Sequence, residues 1–259
     1  MKVAVALDLP TVDENYSVAE KLSQLPDELK QRLAFKVGLS SYTAGGPEYV
    51  KRIVALGLET VLDLKLFDIP NTMVGAAKQI ASLGVSMFTV HASAGQHAIF
   101  EVKKALTGPD YKNPPKILGV TVLTSMTTEV CKNLFGRDLE EQVAKLIGEA
   151  YHGGCDGIVC SPLELPAIDG CVERVNLRSG PPKKLIRFVP GIELEKRNDD
   201  QKRKGGLKEV LRGGADYIVV GRPIYQAEDP AATATKLLTK IGKLEDLDHQ
   251  FEEELKWES

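Results

Sequence analysis

The segment "VLDLKLFDIPNTM" at 61–73 sets Asp63, Lys65 and Asp68 within six positions, in a run that otherwise reads as a buried strand. A buried charge is costly unless it is paired. Other polar residues interrupt apolar runs in the same way: Asp8 after "KVAVAL", Lys36 in "LAFKVG" and His91 in "FTVHA". Brought together, Lys36, Asp63 and Lys65 form a line of alternating sign, which Asp68 extends with a second carboxylate. Each charge then has an opposite neighbour, so all can stay ionised while partly buried. Four charges gathered from two strand tips in this way mark a candidate functional site. The structural alternative is an ion-pair cluster that caps the fold, and His91 alone reads as a core histidine.

These residues need elements to hold them. Short β-branched apolar runs fall at 2–8, 33–38, 59–66, 85–92, 115–124, 156–161, 184–191 and 215–222. Helical spacing separates them at 12–25, 46–57, 72–84, 95–106, to about 153, around 162–169, at 206–214 and at 229–244. Near-continuous apolar strands are covered on both faces, and strands alternating with helices give a parallel sheet with right-handed crossovers. Eight such units predict an α/β fold, a single-domain (β/α)8 TIM barrel over residues 1–243. The rival, an open doubly wound sheet, wants a glycine-rich turn after the first strand, and "ALDLPTVDEN" has none. In a barrel, reactive groups gather at the carboxyl ends of the strands. Asp8, Lys36, Asp63, Lys65, His91, Thr124, Ser125, Gly221 and Arg222 all fall there. Asp63 and Lys65, two apart on a strand, are expected on one face.

Two segments depart from the rhythm. "CVERVNLRSGPPKK" at 171–184 reads as a basic surface insertion. Residues 244–259 are acidic, with Leu244, Leu247, Phe251 and Leu255 at amphipathic spacing, either a docked helix or a frayed extension.

Of the 259 residues, 43% are hydrophobic, enough for a substantial core. A net charge of −3 offers no basic field for nucleic acid or an anionic membrane. The four cysteines, Cys131, Cys155, Cys160 and Cys171, form no CxxC pair and have no histidine at metal-ligand spacing. "MKVAVALDLP" is not a signal peptide, and no run approaches the roughly 18 apolar residues of a membrane span. The expectation is a cytoplasmic protein.

"DLKLFDIPNT" resembles the signature of the orotidine 5′-phosphate decarboxylase family, Asp-x-Lys-x-x-Asp-Ile-Pro-x-Thr, in its bacterial type. The resemblance extends over nearly the whole chain, through "ALD" (6–8), "FKVG" (35–38), "TVHASAG" (89–95), "VTVLTSM" (120–126), "PGI" (190–192) and "VVGR" (219–222). It implies a carboxy-lyase of pyrimidine nucleotide synthesis that turns orotidine 5′-phosphate into UMP and CO2. It implies that Asp8 and Lys36 hold the ribose side, that Asp63 faces the substrate carboxylate and that Lys65 donates the proton. Asp68 would reach into the partner's site of a homodimer. Thr72 would be a substrate-binding position, Thr124 would lie at the pyrimidine edge, and Gln201, Gly221 and Arg222 would bind the phosphate.

One position departs from the family pattern. Many bacterial members carry arginine where this chain has Glu193. A carboxylate there would repel phosphate, so Glu193 turns outward or Lys196 or Arg197 takes over the role. The charged stretch 193–205 is the expected lid. No cofactor is expected, because the sequence has no dinucleotide fingerprint, metal cluster or evident Schiff-base arrangement. Two rivals stand beside this reading. A magnesium-dependent sugar-phosphate relative would carry an acidic residue in place of Lys36. A non-catalytic nucleotide-binding barrel would lose part of the charge line.

Overall fold

A computed structural model of the chain describes residues 1–176, 184–193 and 205–257. Its elements run in the order β1 (Lys2–Ala6), α1 (Val12–Ser23), α2 (Asp27–Lys30), β2 (Leu33–Gly38), α3 (Leu39–Val54), β3 (Glu59–Leu66), α4 (Pro70–Ser82), β4 (Met87–His91), α5 (Gly95–Ala105), β5 (Lys116–Val120), α6 (Thr128–Phe135), α7 (Leu139–His152), β6 (Gly157–Val159), α8 (Leu165–Asn176), β7 (Ile186–Val189), β8 (Ile192–Glu193), β9 (Gly205–Gly206), α9 (Leu207–Arg212), β10 (Tyr217–Val220), α10 (Arg222–Tyr225) and α11 (Pro230–Trp257). Eight parallel strands close into a barrel in the order β1-β10-β7-β6-β5-β4-β3-β2. This is the expected (β/α)8 barrel. Among the described residues, the two-residue strands β8 and β9 pair only with each other.

Strand alternation divides the core in two. Val3, Val5, Leu33, Phe35, Val37, Leu62, Phe88, Val90, Ile117 and Ile158 face outward and pack with the apolar faces of the helices. Ala4, Ala34, Val61, Met87, Leu118, Val120, Val159, Phe188 and Tyr217 fill the barrel interior. Successive side chains take opposite faces, so two residues beyond each of Ala34, Val61 and Met87 the interior receives Lys36, Asp63 and Thr89. Three neighbouring strands thus replace the next apolar layer with a polar one.

Local chemistry sets the helix starts. Thr11 and Glu14 form a reciprocal cap on α1: the Glu14 N–H donates to Thr11 Oγ1 at 3.2 Å, and the Thr11 N–H donates to Glu14 Oε2 at 3.1 Å. Pro70 occupies the first turn of α4 after an extended Ile69, where its missing N–H costs nothing.

Three segments differ from the sequence reading. The second helix begins at Leu39, not 46, and is kinked at Gly46 (φ 60°, ψ −162°) immediately before Pro47. Residues 171–176, read as the start of an insertion, instead complete α8, with Cys171 buried against the core. Residues 177–183 lie outside the described set. The acidic segment after 243 is helical, as one of its two readings had it, but it continues α11 without a break to Trp257 and has no boundary at 243. Leu244 packs against the core, Leu247 is exposed, and Glu245 Oε2 accepts from Arg32 at 2.7 Å. All four cysteines are buried, and none forms a disulfide. Among the described residues no helix is long and apolar enough to cross a membrane.

Candidate active site

At the carboxyl end of the barrel, the charges on β2, on β3 and just after β1 make one line. Lys36 Nζ lies 3.3 Å from Asp8 Oδ2 and 3.6 Å from Asp63 Oδ2. Lys65 Nζ donates to Asp63 Oδ1 at 2.8 Å. The order is therefore Asp8, Lys36, Asp63, Lys65, with signs alternating. Burial grades along it: Lys36 and Asp63 are the covered members, while Asp8 and Lys65 open to solvent, with side chains 40% and 37% exposed. The covered pair is fully compensated, and the ammonium at the open end can meet a ligand.

Gly38 makes room for the Asp8–Lys36 pair. A Cβ at this position would lie 2.8 Å from Asp8 Oδ1 and 3.1 Å from Lys36 Nζ, so a side chain there would displace the ion pair.

Asp63 is pulled in two directions. Burial works to raise its pKa, but the charges of Lys36 and Lys65, with the hydrogen bonds from Lys65 and Thr89, outweigh it, and the carboxyl titrates below the ordinary carboxylate value. Asp63 is consequently ionised near neutral pH. His91, at the end of β4, is held below the ordinary histidine value, first by burial and then by the charge of Lys65. The imidazole is therefore neutral, and its Nδ1 accepts from the Ser93 N–H at 3.2 Å. Its ring lies against Phe67, with centroids 5.9 Å apart.

The geometry at Lys65 differs from a regular strand. Lys65 is the one described non-glycine residue with positive φ, at 52°. The β3–β4 ladder is irregular between Leu62 and Leu66. Asp63 and Lys65 do meet, but across an irregularity and not through the simple pleat that their spacing suggests.

Asp68 stands apart from the line. It is exposed, and its Oδ1 accepts from the neighbouring Ile69 N–H at 2.7 Å. Among the described residues no cation lies within ion-pair distance of it. Within one chain, then, Asp68 does not close the array on Lys65 as the sequence reading allowed. Phe67 and Ile69, on either side of it, are 66% and 67% exposed.

Among the described residues, the remaining expected positions occupy the same end of the barrel. Thr72 is exposed in the first turn of α4, and Thr124 is half-buried in the turn after β5. Gly221 and Arg222 follow β10 directly, with Gly221 capping α10 and Arg222 its first residue. Gln201, Lys196, Arg197 and the side chain of Glu193 lie outside the described residues. Among the described residues no group of three or more His, Cys, Asp and Glu is placed to hold a metal ion.

Two contributors were not read from the sequence. Gly38, the last residue of β2, stands in the matching segment "FKVG", but the sequence reading gave it no role. Thr89 had one, a hydroxyl inside the apolar strand "MFTVH" with the same parity as His91.

Residues 1–237 match the model of the family described as "Orotidine 5'-phosphate decarboxylase / HUMPS family". The orotidine 5′-phosphate decarboxylase of Nautilia profundicola is 39% identical over 245 residues, covering 94% of this chain and all of the relative. That of Nitratiruptor sp. is 40% identical over 244 residues, covering 93% of this chain and all of the relative. Among solved structures, the orotidine 5′-phosphate decarboxylase of Lactobacillus acidophilus superposes with a TM-score of 0.73 at 33% identity, over 93% of this chain and 98% of that one.

Proposed function

The chain belongs to the orotidine 5′-phosphate decarboxylase / HUMPS family and converts orotidine 5′-phosphate to UMP, a carboxy-lyase reaction, and we propose that Lys65 is its proton donor. The observation that carries the proposal is the Asp8–Lys36–Asp63–Lys65 line, which ends in an ammonium 2.8 Å from a half-buried, ionised carboxylate.

Decarboxylation breaks the bond between C6 of the pyrimidine and the carboxylate carbon. The bonding pair stays on C6, and CO2 departs. No ordinary electron sink receives that pair, so charges already in place must stabilise it. The Lys65 ammonium lies at the open end of the line, where a ligand's C6 can approach. Its proton passes to C6, leaving a neutral amine that recovers a proton from water. Asp63 would face the scissile carboxylate, and loss of CO2 relieves that repulsion. Lys36 and Asp8 keep Asp63 fixed and engage the ribose. Thr72 and Thr124 border the substrate, and Gly221, Arg222 and Gln201 receive the phosphate.

The active unit proposed is a homodimer. Asp68 is exposed and, among the described residues, bonded only to its own loop, while Phe67 and Ile69 present apolar side chains beside it. Exposed apolar groups flanking a charge suit a surface that is covered by a second copy. Asp68 then enters the partner's site and supplies the second carboxylate beside Lys65. The charge line needs no cofactor for this reaction.

The test follows UMP formation from orotidine 5′-phosphate in the presence of a metal chelator. Wild-type protein should turn over, and Lys65→Ala should lose turnover while still binding UMP. Turnover by Lys65→Ala at a rate near wild type would remove Lys65 from the proton-donor role.

A further inference from the structure

From a buried position on β4, Thr89 bonds both the backbone of Lys65 and the carboxylate of Asp63. The pairing of β3 with β4 is regular at Val61↔Met87 and Leu62↔Phe88, then resumes at Leu66↔Val90. Three residues of β3, Asp63, Leu64 and Lys65, therefore stand opposite one residue of β4, Thr89. A strand with surplus residues bends locally and leaves part of its ladder unpaired. Here the amide of Lys65, in its left-handed conformation, donates to Thr89 Oγ1 at 2.9 Å. The same hydroxyl donates to Asp63 Oδ1 at 2.9 Å, the oxygen that also receives Lys65 Nζ. The directions are fixed, because an amide N–H can only donate and an ionised carboxylate can only accept. Thr89 is 1% exposed, so water does not compete for either bond.

We propose that Thr89 is a positioning residue of the decarboxylation, its hydroxyl clamping the Lys65 backbone and the Asp63 carboxylate so that the ammonium is preset where C6 will carry charge. One hydroxyl thus ties together the backbone of the proton donor and the carboxylate that pairs with it. Valine would keep the shape and lose both bonds, whereas serine would keep the hydroxyl. The proposal rests on Lys65 being the proton donor, and Lys65→Ala tests that premise separately.

The experiment compares Thr89→Val and Thr89→Ser with wild type in kcat, KM and pH profile. Loss of two buried hydrogen bonds, one to a charged group, should lower kcat in Thr89→Val by about tenfold to a hundredfold. KM and UMP binding should change by less than about threefold, since the groups proposed to hold the nucleotide remain in place. The acid limb of the kcat profile should move to higher pH, because Asp63 has lost a bond that favours its ionised form. Thr89→Ser should restore both kcat and the limb. Wild-type kcat and limb in folded Thr89→Val, or a Thr89→Ser as impaired as Thr89→Val, would overturn the proposal. If Thr89→Val does not fold, the wild-type protein still decides: the Lys65 amide should be protected from hydrogen exchange, and rapid exchange there would overturn the clamp.

Discussion

Around Lys65, single residues settle which groups are charged. Asp63 gains more from two lysines and two hydrogen bonds than burial takes away, and it ionises readily. His91 receives the opposite treatment, since both burial and Lys65 disfavour its imidazolium. The sign of its effect on stability follows from linkage. The folded value lies below the ordinary 6.5, so the unfolded chain takes up the proton first as pH falls. His91 therefore adds stability above pH 6.5 that is lost as pH falls through the folded value. Replacing it with Gln should remove this contribution, so wild type should lose more melting temperature than His91→Gln between pH 7.5 and about 5. Equal losses in the two proteins, measured by thermal unfolding across that range, would exclude a neutral, half-buried His91.

At the scale of elements, the sequence reading did well wherever the pattern is local. All eight barrel strands fall within the apolar runs, and parity alone puts Lys36 and Asp63 inside the barrel beyond Ala34 and Val61. It failed where neighbours override local pattern. The β3 irregularity depends on how β3 pairs with β4, and a period of two cannot show it. Helix α3 starts seven residues early because the chain turns straight from β2 into a helical turn, then kinks at Gly46. The Gly46 backbone (φ 60°, ψ −162°) belongs to a region essentially restricted to glycine. A Cβ there would meet nothing within 4 Å, so only backbone strain opposes a side chain. Gly46→Ala should therefore cost about 1–3 kcal/mol in urea unfolding, with kcat per folded molecule unchanged. A stability equal to wild type would show that α3 can straighten through this point.

For the whole molecule, the question is how many chains make one site. A single chain assembles Asp8, Lys36, Asp63 and Lys65 and leaves Asp68 facing solvent between Phe67 and Ile69. If Asp68 serves the partner, Lys65→Ala and Asp68→Ala chains should complement each other. In a mixed dimer, one site loses both groups and the other keeps both. Random exchange makes half the dimers mixed, so equal mixing should restore about a quarter of wild-type sites. Kinetics after verified subunit exchange measure this, and no recovery would confine each site to one chain.

The amino-acid sequence by itself determined the barrel, through eight apolar runs alternating with helical spacing, and it determined which charges lie at the carboxyl ends of the strands. It also carried the family motif at 63–72. Only the tertiary structure decided how those charges meet. Lys65 reaches Asp63 across an irregular β3, Thr89 on the next strand ties both, and the absence of a side chain at Gly38 leaves space for Asp8 and Lys36. The physical reason is range. Hydrophobic periodicity is set by each residue's immediate neighbours along the chain, whereas a bulge, a shared hydroxyl and a close approach arise between segments that only folding brings side by side.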